Sequence, residues 1–163
     1  MEFKSLVEQA EMMINEQAEP ALIDALHNVF ADAFVFYFKA HSFHWNVVGK
    51  DFPEYHEFFG KIYEDVFGKM DKLAEEIRAL NAPAPMNLAS LIANSKIIEN
   101  KDQLTAIEMV AALEADNMKV LAGLLACAKM AEAADEIGLN DFLTQLYDEH
   151  KKLAWMLSSI LKG

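Results

Sequence analysis

Residues 44–75, which read HWNVVGKDFPEYHEFFGKIYEDVFGKMDKLAE, carry the most informative pattern in the chain. Two histidines lie twelve positions apart, His44 and His56, and two acids follow four positions apart, Asp71 and Glu75. Imidazole nitrogens and carboxylate oxygens together suit iron, zinc and manganese. The stretch also joins two segments whose apolar residues recur at helical spacing. The positions of the two histidines and two acids along these helices therefore determine whether their side chains can meet.

Apolar residues recur at helical spacing along most of the chain and predict four long helices. A leading helix is expected at 3–16, and the proline-rich stretch 82–85 cannot continue the second long helix. Asn87 is the predicted cap of a short helix in the connection. The long helices are predicted at residues 20–47, 52–80, 105–134 and 140–161.

Two capping-box patterns and one single cap mark where long helices begin. Asp51 with Glu54 is expected to open the second long helix, and Thr105 with Glu108 the third. Asn140 is expected to cap the fourth, which places Gly138 in the preceding turn.

No segment has the pattern of strands, so the chain is predicted to be all-α. Four helices with one long connection between the second and third form the ferritin-like four-helix bundle. The short helix lies in that connection. We expect one domain over residues 1–163, with residues 1–18 as a leading segment.

Composition excludes several function classes. The formal charge of −12 repels nucleic acid and anionic membranes and attracts cations. The first 38 residues contain one basic side chain, Lys4, against seven acids, which predicts no DNA binding through a basic tail. The apolar run 29–38 is too short to span a membrane and contains Asp32. A cytoplasmic protein is expected, with Cys127 as a small core residue.

A dinuclear metal centre inside one bundle would require Glu-x-x-His on two helices. None of the five histidines follows a glutamate at that spacing, and only His27 follows any acid, Asp24. An in-bundle centre is therefore not expected.

The candidate ligands of residues 44–75 cannot all reach one ion in one chain. His56 and Asp71 are fifteen positions apart on one predicted helix, which separates them by roughly 22 Å and roughly 60° of rotation. An antiparallel second copy across a two-fold axis would bring its Asp71 and Glu75 to this copy's His56, with His44 joining from the preceding helix. The alternative is that these groups form a solvated helix face.

The combined pattern resembles the signature of the Dps family, the ferritin-like mini-ferritins called DNA-binding proteins from starved cells. The resemblance extends over about residues 20–161, including the last helix, EHKKLAWMLSSIL at 149–161. The residues that carry it are His44-Trp45-Asn46-Val47, Gly49, Phe52, His56, Asp71 and Glu75.

This resemblance implies a hollow homododecamer that oxidises iron(II) at its two-fold interfaces, typically with hydrogen peroxide, and stores the iron(III) oxide inside. His44 and His56 would come from one subunit, and Asp71 and Glu75 from its partner. The implied activity is that of a ferroxidase that limits oxidative damage. Zinc or manganese could use the same ligands.

Gly60 departs from the family pattern, which commonly has an acid at this position. A ligand for a second iron is then missing, unless water or a nearby acid such as Glu57 or Glu64 replaces it. Slower oxidation is one expectation. The alternative is a cage or metal-binding protein with weak or no ferroxidase activity.

Other polar residues have two interpretations each. Trp45 either packs near the site or anchors an interface, and His41 either supports the site or is an ordinary polar helix residue. The resemblance suggests that Glu136 and Asp141 lie near iron-admitting pores, whereas Asp141 at a helix start would also suit the helix dipole. His27 and His150 are expected to be structural.

Overall fold

The computed structural model describes residues 2–163, which form six α-helices and no strand. The prediction of an all-α fold with a short helix in the long connection is confirmed. The helices are α1 (Phe3–Asn15), α2 (Pro20–Asn46), α3 (Phe52–Ala79), α4 (Leu88–Asn94), α5 (Ala106–Ala133) and α6 (Ile137–Leu161).

Helix α2 is the central helix of the bundle. It packs along α3 and α5, while α6 packs mainly on α5 and α4 covers part of α2. Large side chains such as Leu26 and Phe36 on α2, Phe59 on α3 and Leu143 on α6 are fully buried in one continuous core. Cys127 is buried there as expected, and burial raises the pKa of its thiol to about 12.

Helix α2 is long and apolar enough to cross a membrane, judged by length and composition alone, and half of its most apolar window is buried in the bundle. Its central position explains this composition, because side chains of α2 face neighbours on several sides. A helix that is apolar around most of its circumference is expected where packing surrounds it.

Two buried charges on α2 hold the connection between α3 and α5 in place. Asp32 accepts hydrogen bonds from the Ser95 hydroxyl at 3.0 Å and the Lys96 backbone N–H at 2.7 Å. Lys39 donates to the Ile98 carbonyl at 2.7 Å and pairs with Asp116 of α5 at 2.5 Å. Buried charges need such partners, so these contacts fix where the connection crosses α2.

Three helix ends have a clear physical basis, and two of them, the starts of α5 and α4, match the sequence prediction. Thr105 and Glu108 form the predicted capping box, and Asn87 accepts a hydrogen bond from the Ser90 N–H. Asn81 ends α3 with a φ of 60°, and the next N–H, that of Ala82, bonds to the Ile77 carbonyl. This is the Schellman arrangement that closes a helix C-terminus.

Asp51 is the N-cap residue of α3, where the helix was predicted to open, but the predicted capping box does not form. Its side chain makes no capping hydrogen bond, because its backbone (φ −100°, ψ 27°) lies outside the extended region from which a cap side chain reaches back. Pro53 sits in the first turn and needs no N–H partner, so α3 begins without that cap.

The predicted start of α6 at Asn140 was also wrong. Asp135 adopts a left-handed φ of 59°, and the Glu136 N–H bonds to the Ala131 carbonyl. The chain therefore reverses within three residues, and α6 begins at Ile137 with Gly138 in its first turn. Asn140 lies inside the helix and donates to the Ala128 carbonyl of α5 at 2.8 Å.

We predict that Thr105→Ala lowers the free energy of unfolding by about 1 kcal/mol, because it removes the cap acceptor of α5. Asp51→Ala is the matched control, since Asp51 makes no cap bond. Urea unfolding at one fixed protein concentration measures both. Equal losses in the two variants would contradict the assignment of the caps.

Candidate metal site

The two histidines lie where α2 and α3 meet. His44 is in the last turn of α2, and His56 is in the first turns of α3. The five residues between these helices turn the chain back on itself, with Val47 buried and Gly49 at a φ of 124°. This reversal places residues twelve positions apart in sequence side by side.

His44 and His56 hold each other by reciprocal hydrogen bonds. His44 Nδ1 lies 2.6 Å from the His56 carbonyl oxygen, and His56 Nδ1 lies 2.7 Å from the His44 carbonyl oxygen. The rings stack with centroids 3.7 Å apart and 20° between their planes. We call this arrangement the histidine pair.

The histidine pair determines which ring nitrogen carries the proton. A carbonyl oxygen can only accept a hydrogen bond, so each Nδ1 must be the N–H donor. In the neutral imidazole the other nitrogen, Nε2, then carries the lone pair. Backbone carbonyls that receive Nδ1–H are the usual supports of metal-binding histidines. The lone pair of each ring is thus on Nε2, the nitrogen that is not bonded to the backbone.

Gly60 lies directly beneath the His44 ring, one turn after His56 on α3. A Cβ added at Gly60 would lie 3.2 Å from His44 Nδ1 and 3.3 Å from Cε1, which is tighter than ordinary packing. The residue is buried. Any side chain at this position would therefore press on the ring that the histidine pair holds.

Asp71 and Glu75 are exposed on the later turns of α3. Neither carboxylate has a hydrogen bond or ion pair within residues 2–163. Because α3 is continuous from Phe52 to Ala79, His56 and Asp71 are separated by roughly 22 Å along its axis. Within the described range, no three His, Cys, Asp or Glu side chains come together as a metal site. One chain thus presents the histidines and the acids at separate places.

An aromatic cluster that the sequence reasoning missed adjoins the histidine pair. The His41 ring stacks on Tyr63 at 3.7 Å and lies against Trp45 at 4.0 Å. Burial lowers the pKa of His41, as does nearby His44, while Glu64 acts in the opposite direction. Tyr63 follows His56 by seven positions, two helical turns, and that spacing could have indicated a shared face.

Glu57 and Glu64, the two acids near Gly60 that could replace the missing ligand, differ in what surrounds them. Glu57 pairs with Lys61 at 2.7 Å, and this hydrogen bond lowers the pKa of the Glu57 carboxyl. Glu64 accepts a long hydrogen bond from the Tyr63 hydroxyl, at 3.4 Å. Both are exposed on α3, and neither is among the groups that hold the histidine pair.

Glu136 and Asp141 lie at the α5–α6 turn and beyond it. Burial and the neighbouring Glu76 raise the pKa of Glu136. Asp141 is a full turn inside α6, not at its start, and accepts from the Gln145 amide at 2.7 Å. The helix-start interpretation of Asp141 is therefore wrong, and Glu136 occupies the cap position instead.

Comparison with known proteins identifies the family. A family model for the ferritin-like domain matches residues 23–163. The DNA protection during starvation protein 2 of Bacillus anthracis is 32% identical over 140 residues, which cover 86% of this chain and 96% of that protein. The chain belongs to the Dps family.

Solved Dps-family structures have the same fold. The antigen TpF1 of Treponema pallidum superposes with a TM-score of 0.84 at 27% identity, covering 88% of this chain and 92% of that chain. The Dps protein of Vibrio cholerae, described as a ferritin-like diiron-carboxylate protein, gives 0.83 at 30% identity, with 86% and 89% covered.

We predict that Gly60→Ala stabilises the protein less than Gly68→Ala, or destabilises it. Both changes replace a glycine within α3 and gain about 0.5–1 kcal/mol of helix propensity. At Gly68 a Cβ meets nothing within 4 Å, whereas at Gly60 it meets the His44 ring. Thermal unfolding of both variants measures the difference. Equal stabilisation would show that the ring yields without cost.

Proposed function

We propose that this Dps-family protein oxidises iron(II), with hydrogen peroxide as oxidant, at sites shared between two subunits, and stores the iron(III) oxide in a hollow shell of twelve copies. The observation that carries the proposal is the histidine pair, which leaves two Nε2 lone pairs without a third His, Cys, Asp or Glu of the described chain beside them. Two imidazoles alone make an incomplete site for iron.

A second copy of the chain would complete the site. Asp71 and Glu75 are exposed and make no hydrogen bond or ion pair within the described residues. Their distance along α3 keeps them from the histidines of their own chain. A two-fold axis makes the same patch meet itself, so two equivalent sites would form, each with histidines from one subunit and acids from the other. Trp45 next to His44 and Phe67 one turn before Asp71 are both 57% exposed, and they supply apolar surface for such a contact.

The chemistry of the ligands fits oxidation of iron as substrate. Carboxylates are hard, anionic donors and favour iron(III) over iron(II). Each hydrogen peroxide takes one electron from each of two iron(II) ions, and the iron(III) then hydrolyses to oxide with release of protons. Consuming iron(II) and peroxide together suppresses hydroxyl radical formation, which accounts for a protective role. The formal charge of −12 per chain attracts iron(II).

We propose that acids at the α5–α6 turn line the route by which iron(II) enters the shell. Burial and the nearby Glu76 carboxyl disfavour the charged form of Glu136, as expected where carboxyls crowd together. A cation would relieve that repulsion. We assign Glu136, with Asp141 one turn further along α6, to this role in the shell.

A second candidate function is metal binding with slow or no oxidation, with zinc or manganese as alternative ions. Gly60 favours this candidate, since it provides no side-chain ligand and its packing against His44 leaves little room for one. A second iron would then depend on water, Glu57 or Glu64, and Glu57 is already paired with Lys61.

We predict that His44→Ala, His56→Ala and Glu75→Ala each slow iron(II) oxidation by peroxide at least about tenfold, because each removes a ligand. The growth of ferric oxide absorbance after mixing measures the rate. His27→Ala and Asp148→Ala are the controls and should match the parent. Unchanged rates in the three site variants would refute the ferroxidase; tight iron(II) binding without turnover would favour the second candidate.

Mixed assemblies test whether the site is shared. A His44→Ala/His56→Ala chain and an Asp71→Ala/Glu75→Ala chain are each inactive in this scheme. Refolding them together in equal amounts should restore roughly a quarter of the parental activity, since half of the random dimers are hybrids and each hybrid has one intact site. No recovery, with hybrid dimers verified by mass spectrometry, would place the site within one chain.

A further inference from the structure

A groove that is separate from the histidine pair opens between α3 and α6. These two helices make few close contacts with each other, whereas α3 packs on α2 and α6 packs on α5. The resulting cavity holds about 300 Å³ and is lined mainly by aliphatic side chains of four helices. That volume and composition are typical of small-molecule sites. Its apolar walls include Val29, Ile62, Leu73, Val120, Leu124 and Leu146.

The floor of the groove contains His150, which is 8% exposed. Its Nδ1 lies 2.6 Å from Asn117 Oδ1, and Asn117 Nδ2 donates to the His150 carbonyl at 2.9 Å. The carbonyl can only accept, which fixes the orientation of the amide, and Asn117 Oδ1 must then accept from His150 Nδ1–H. The proton of the neutral ring is therefore on Nδ1.

His150 Nε2 is an acceptor that the protein leaves open. Burial lowers the pKa of His150 to about 4, so the ring is neutral at pH 7. Every fully buried side-chain nitrogen or oxygen in residues 2–163 has a hydrogen-bond partner, yet Nε2 has none there. Nε2 must therefore retain access to solvent, and since the ring lines the groove, that access runs through the groove.

The mouth of the groove has balanced charge. Lys69 of α3 pairs with Glu149 of α6 at 3.0 Å, and Asp65 and Lys152 also line the cavity. Two acids and two bases give no net attraction for an ion. This balance favours a neutral ligand over an anionic or cationic one.

Two methionines, Met70 and Met156, also line the groove. Their thioethers make favourable contacts with aromatic rings and adapt to irregular shapes. The Phe36 and His150 rings already pack in a T-shaped arrangement, with centroids 5.9 Å apart. The walls therefore suit an aromatic ring, and His150 Nε2 at the floor suits a hydrogen-bond donor.

We propose that the α3–α6 groove is a binding site for a small neutral phenol, whose ring lies between Met70 and Met156 and whose hydroxyl donates to His150 Nε2. The site shares no residue with the histidine pair, Asp71 or Glu75, so it does not rest on the proposed ferroxidase. Ligand binding would add a contact between α3 and α6, which otherwise make few close contacts with each other.

Calorimetric titration of the assembled protein with 4-butylphenol tests this assignment. 4-Butylanisole is the matched probe, because its methoxy group cannot donate to Nε2. We expect 4-butylphenol to bind and 4-butylanisole to bind at least about tenfold more weakly, since Nε2 would be covered without a partner. Equal affinities would overturn the assignment of the hydroxyl to His150, and no binding of either would overturn the site.

Variants locate the binding. Met156→Trp is expected to fill the groove from its mouth and to abolish binding of 4-butylphenol. Met118→Trp is the control, because Met118 is 55% exposed on α5 and does not line the groove. Undiminished binding to Met156→Trp, or equal loss in Met118→Trp with both proteins folded by circular dichroism, would place the probe elsewhere.

Discussion

Two hydrogen bonds running in opposite directions between α2 and α3 are the contacts on which the candidate site depends. Each imidazole of the histidine pair donates to the backbone of the other residue, so neither ring can rotate without breaking a bond. The five-residue turn, the buried Val47 and the bare Cα of Gly60 all serve this close approach. Fixed rings mean that little side-chain freedom remains to be lost when a cation binds.

Helical period in the sequence predicted the fold well, because the apolar faces of α2, α3, α5 and α6 are long and repeat regularly. Helix ends were harder to predict. Thr105 and Asp51 carry the same kind of signal, yet only Thr105 has the extended backbone that lets a cap form. At Asn140 the signal was misleading, since the left-handed Asp135 had already reversed the chain.

The separation of the candidate ligands within one chain was predictable from the sequence. Rise per residue was enough to separate His56 from Asp71, and α3 is indeed continuous between them. Sequence could not give the ring tautomers, the stacking of His41 on Tyr63 or the contact of Gly60 with His44, because these depend on how two helices pack. His150 was expected to be structural. The sequence could not show its pairing with Asn117, because that residue is 33 positions away.

Dividing a set of ligands between two places on one chain has a thermodynamic consequence. If a cation binds tightly only where two copies meet, then the factor by which association raises its affinity equals the factor by which the cation tightens association. The supply of metal would then regulate how firmly the subunits hold together, and the strength of the subunit contact would regulate how readily the metal is retained. Subunit association and metal binding would then share one coupling free energy.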